Sequence, residues 1–190
     1  MKRRSIIAVV AAAFGLGGLI GTVAWLALGY AKEVALSNGQ PTWTEVAWPF
    51  VLDEWGKGKA FRCKASECGT EINLYVRAKI GFCNCTTGVA DDDELDRISD
   101  FTLMGEGVAN LGPGRPIGVA WMKGRSRSYT VATPIRTGRS ALSVGFNDRC
   151  DAIVATAVVG RDRPDAIEPK VIEFLNGKTV MRWAEVTLGL

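Results

Sequence analysis

Histidine is missing from all 190 residues of the chain. Without it there is no His general base, no Ser-His-Asp or Cys-His nucleophile system, no imidazole metal ligand and no C-x-x-C-H haem attachment. The G-x-S-x-G elbow, the S-x-x-K pair and the Walker A loop are absent as well. Gly105-Glu106-Gly107, followed by Gly112, misses the G-x-G-x-x-G spacing and reads with Pro113 and Gly114 as a turn-rich loop. No motif implies a cofactor. A basic excess is lacking too. The chain carries 23 Lys+Arg against 20 Asp+Glu, and Lys2, Arg3 and Arg4 account for the whole difference. The remainder is neutral, without the basic face that nucleic-acid binding needs, and that class is set aside.

What is present begins with a long apolar run. Ser5 to Ala31 passes 27 residues without a charge. As a helix it extends about 40 Å, against a hydrocarbon core of about 30 Å. A secretory signal has an apolar region of only about 7–15 residues, so the expectation is an uncleaved transmembrane signal anchor over 5–31. Small residues at Gly29-Tyr30-Ala31 keep secretion after cleavage near Ala31 as the alternative. Three basic residues precede the span, and Lys32 is soon followed by Glu33, Glu45, Asp53 and Glu54. The positive-inside rule then puts residues 1–4 in the cytoplasm and the C-terminal domain in the periplasm, on an inner membrane crossed once. Gly17 and Gly21 have small-xxx-small spacing and offer a helix-pairing face. Residues 32–42 read as a linker and 43–190 as one extracytoplasmic domain.

The domain reads as mainly β. Ile72, Leu74, Val76, Ala78, Ile80 and Phe82 alternate with Glu71, Asn73, Tyr75, Arg77, Lys79 and Gly81, the period-two mark of a strand with one buried face. Further strands are expected at 44–51, 58–63, 117–122, 128–133, 141–146, 152–159 and 179–187, with a hairpin around 123–126. Two short helices fit: about 91–98, and 168–177, where Pro169 suits a first turn and Asn176-Gly177 a stop. Many strands and few helices imply a small barrel or sandwich. Trp43, Trp48, Trp55, Trp121 and Trp183 supply bulk for its core.

Five cysteines fall in this domain, at 63, 68, 83, 85 and 150. In an oxidising compartment the expectation is two disulfides. If the strand continues through Cys85, Cys83 and Cys85 share a face roughly 6.5–7 Å apart, too far for an unstrained bond between them. Each then reaches back to Cys63 or Cys68, and Cys150 is the odd thiol. The alternative is a four-thiolate zinc site or a thiol-redox protein using the same four cysteines, although C-x-x-C is absent. In "DDDELD", Asp91 and Glu94 are spaced as an N-cap and its third helical residue. Calcium is the rival reading, and Leu95 stands where that loop needs a ligand.

"SALSVGFNDRCDAIVATAVV", followed by "VIEFLNGKTVMRWAEV", resembles the exported β-proteins of the invasion-associated locus B family, in which a cysteine-bearing strand leads to a short helix and a final strand. The resemblance covers about a quarter of the chain and implies an envelope-associated β-domain; it brings no site residues. The resulting expectation is a membrane-anchored, non-catalytic domain stapled by disulfides, which meets an envelope protein or itself. An enzyme working without histidine, marked by two close carboxylates in a cleft, is the remaining alternative.

Overall fold

The computed structural model describes residues 41–103, 107–133, 136–160 and 162–190. Eight strands form one antiparallel sheet: β1 (Trp43–Val46), β2 (Lys59–Cys63), β3 (Ile72–Lys79), β4 (Val108–Asn110), β5 (Arg115–Val119), β6 (Met122–Thr133), β7 (Arg136–Asp148) and β8 (Asp151–Val159). Their order is β1-β2-β3-β8-β7-β6-β4, with β5 also on β6. Four helices accompany them: α1 (Ala65–Cys68), α2 (Asp92–Ile98), α3 (Pro164–Leu175) and α4 (Lys178–Leu188).

The sheet is open, since β1 and β4 end it and do not pair with each other. The expected barrel or sandwich with two short helices is therefore corrected to a mixed α/β domain with four helices among the described residues. Period-two alternation tells which side of a strand is buried, not what buries it. Here helices take the place of a second sheet. On one face, Phe61, Leu74, Val76, Leu142, Val144, Phe146 and Ile153 pack against Ile167, Val171 and Leu175 of α3 and Val180, Met181 and Ala184 of α4. On the opposite face, Leu95 and Ile98 of α2 pack with Cys83 and Val89 on Ala152 and Val154. Strand β8 is central and buried on both sides, which explains its unbroken apolar run.

Residues 179–187, expected as a strand, are helical. Val180, Met181, Ala184 and Leu188 recur at helical spacing and face the core. The α3 helix starts at Pro164, so Pro169 lies in its interior and not in its first turn. The β5–β6 hairpin turns at Ala120-Trp121, between paired Val119 and Met122, and not around 123–126. Trp121 is exposed, while Trp43 stacks on Phe174 with ring centroids 4.5 Å apart.

The anchored topology is also corrected. Among the described residues no helix is long and apolar enough to cross a membrane. The span 5–31, with Gly17 and Gly21, lies outside those residues, as does the rest of 1–40. The inner-membrane placement, and partners reached through a spanning helix, therefore have no structural support.

Candidate functional site

The cysteines sort differently from the expectation. Cys63 pairs with Cys68, and Cys85 with Cys150, leaving Cys83 as a buried free thiol. Strand β3 stops at Lys79, and Gly81 turns the chain at φ +68°, so Cys83 and Cys85 do not continue its face. The single turn of α1, closed by the Cys68 N–H on the Lys64 carbonyl at 2.9 Å, folds Cys68 back on Cys63, and the β7–β8 turn carries Cys150 to Cys85. Four of the five sulfurs are oxidised, so no four-thiolate zinc set exists. No group of three or more metal-ligating side chains occurs among the described residues.

The acidic run is wired into the fold. Asp91 Oδ1 accepts the Glu94 N–H at 2.8 Å as the cap of α2. Asp92 holds the Gly114 N–H at 3.0 Å and pairs with Arg125. Glu94 accepts the Asn84 N–H at 2.8 Å and pairs with Arg97 at 2.6 Å. Asp96 pairs with Arg127 at 2.9 Å and accepts the Tyr129 hydroxyl. The acids fix α2 to β6 and to the loops beside it, and leave no oxygen cage for calcium.

The polar side of β3 lies on the same sheet face as α2. A strand with one buried face predicts solvent on this side, but Arg77 is only 2% exposed. Its guanidinium donates to Asp53 at 2.6 and 2.8 Å and to Asp100 at 3.0 and 2.6 Å. Lys79 adds a 2.9 Å ion pair to Asp100. Trp48 lies 5.9 Å from the Arg77 guanidinium and Trp55 5.4 Å from the Lys79 ammonium. This neutral quartet pins the segment between β1 and β2 to the sheet.

Beyond the quartet, this face opens into a groove of about 620 Å³ lined by Phe50, Arg62, Asn73, Tyr75, Arg139 and Val158, with Thr70 and Glu71 among its remaining lining residues. Register explains the convergence. Arg62, Asn73 and Val158 are cross-strand partners in one row, and Tyr75 stands two residues from Asn73 on the same side. Arg139, two residues from Ala141 in that row, approaches from β7. Three strand spacings put roughly 14 Å between the β2 and β7 backbones that carry the two arginines. Burial pushes the Tyr75 phenol up, while the Arg139 and Arg62 guanidiniums pull it back.

Charge pairing singles the groove out. On this face Arg77, Lys79, Arg125 and Arg127 each have a carboxylate. Arg62 donates only to the neutral Asn73, at 3.2 Å, and neither it nor Arg139 has an ion pair among the described residues. Glu71, the one carboxylate in the lining, accepts from Asn73 Nδ2 at 3.4 Å. Two buried polar atoms without a partner among the described residues, Trp48 Nε1 and Thr156 Oγ1, both belong to neighbours of Tyr75. A second cleft, about 590 Å³ beside the start of α3, differs. Its Asp162 accepts from Thr70 at 2.6 Å, its Asp165 pairs with Arg163 at 2.7 Å, and its Glu168 takes Arg115 at 2.9 Å and Ser126 at 2.7 Å. These carboxylates are already engaged.

Sequence reasoning missed Arg62, Asn73, Tyr75 and Arg139. Asn73 and Tyr75 stood in plain alternation, but only the strand order brings two cations to them. No protein-family model matches the chain, and no curated protein does.

Proposed function

We propose that the domain binds a small organic anion in the groove between Arg62 and Arg139. The observation that carries this reading is the pair of guanidiniums without carboxylate partners among the described residues, on a face where Arg77, Arg125 and Arg127 are neutralised. Charge-assisted, bidentate hydrogen bonds from arginine suit carboxylate or phosphate oxygens. Asn73 and the Tyr75 hydroxyl orient the ligand, and Phe50 and Val158 offer apolar surface for its body. The volume lies within the range of about 300–1,000 Å³ usual for small-molecule sites.

The test is a thermal-shift titration of the full chain with inorganic phosphate, citrate and a nucleoside monophosphate. At least one probe raises the melting temperature, and the rise shrinks with added salt. The exposed double variant R62Q/R139Q, with an unchanged circular dichroism spectrum, loses the rise. Absence of any stabilisation, or a rise undiminished in the variant, overturns the reading.

A further inference from the structure

We propose that Cys83, Cys85 and Cys150 form a thiol–disulfide exchange set that turns Cys85 into a surface modification site. Cys83 is buried beside the existing bond. Its N–H donates to the Cys150 carbonyl at 3.1 Å, and its Sγ lies 3.3 Å from the Arg149 carbonyl oxygen. Backbone and sulfur of Cys83 thus both face the corner that carries Cys150. Cys150 is joined through its sulfur to Cys85 and through its carbonyl to the Cys83 N–H, so the free thiol borders the existing disulfide.

The exchange needs no outside oxidant. Hydroxide takes the Cys83 proton, and the thiolate attacks Cys150 Sγ. The Cys85–Cys150 bond breaks, Cys85 leaves as thiolate, and that thiolate takes a proton from water. One disulfide and one thiol stand on each side, but the thiol has moved from the interior to the exposed Cys85. The loop that bears it keeps its shape without the bond. Glu94 holds the Asn84 N–H, Asn84 Oδ1 accepts from Thr86 and Thr87, and the Asn84 carbonyl accepts from Gly88.

Burial pushes the Cys83 thiol up to about 11, with Glu94 of α2 and Asp151 of β8 adding to the rise and Arg97 of α2 opposing it. The attacking species is scarce at neutral pH, and exchange speeds up about tenfold per pH unit below that value. The experiment incubates the full chain with excess iodoacetamide from about pH 7 to pH 9.5, then digests it with trypsin without reductant. Tandem mass spectrometry of the Ile80–Arg97 peptide, joined to Cys150–Arg161, locates label and bond. The expected product is label on Cys85 with Cys83 joined to Cys150, in amounts that rise with pH. C83S gives no label, and C85S incubated with oxidised glutathione joins Cys83 to Cys150 as the glutathione is reduced to its thiol. Label on Cys83 with the original bond intact, no label at any pH, equal labelling of Cys85 in C83S, or failure of glutathione-treated C85S to join Cys83 to Cys150 overturns the proposal.

Discussion

Among the described residues, Asp100 is the carboxylate that pairs with both buried cations of β3, Arg77 and Lys79. Removing one partner of a buried pair leaves an uncompensated charge and costs about 3–5 kcal/mol. D100A is therefore expected to lower unfolding free energy by about that amount, and D53A by less, since Asp53 is 29% exposed; urea denaturation of both variants measures the order. Acid should act through the same kind of group. Arg77 first, against burial, holds Asp53 below its ordinary 3.8, and Arg97 first holds Glu94 below 4.5. Burial opposes the lowering at Asp92, which the Gly114 N–H and Arg125 nonetheless bring about. A depressed carboxylate stabilises the fold above its unfolded value and loses that contribution as pH falls through the lower folded value. The urea midpoint should fall below about pH 4.5 and continue falling beneath 3.8. Asp91 and Glu94 were legible in the sequence because capping joins residues three apart. The partners of Arg77 were not, because they stand 24 and 23 positions away.

At the scale of elements, Gly145 lets α2 pack close against the sheet. A Cβ there would lie 2.9 Å from Cδ1 of both Leu95 and Ile98. G145V should cost about 1–3 kcal/mol through overpacking, whereas G160A, with nothing within 4 Å, should be near neutral. Loss of the cap in D91A should cost about 1 kcal/mol; chemical denaturation checks all three. The α2 helix was readable from its acids and its apolar pair, Leu95 and Ile98. The α4 helix was not, because Thr179, Val180, Val186 and Thr187 favour strands by local preference. Packing of Val180, Met181 and Ala184 on the sheet overrides that preference. It also removes the final strand that the likeness to the invasion-associated locus B proteins implied.

For the molecule as a whole, the two disulfides constrain unequal lengths of chain. Cys63–Cys68 spans 5 positions and Cys85–Cys150 spans 65. Loop-closure entropy assigns them about 2 and about 4 kcal/mol, so C85A/C150A should lower the melting temperature more than C63A/C68A. That pairing was not legible, since it depends on β8 lying beside β3, a fact of sheet order and not of local pattern. The same order has a kinetic consequence. Strands β6, β7 and β8 follow one another as neighbours, whereas β3 must wait for β8, matching Lys79 to Ala152 and Asn73 to Val158. Closing that distance costs entropy before any pairing repays it. The C-terminal meander should therefore gain amide protection first in pulse-labelled refolding, and β1–β3 should join it later. During synthesis the order is the reverse: β1 to β3 leave the ribosome before their partner exists, and the centre of the sheet stays open until β8 emerges.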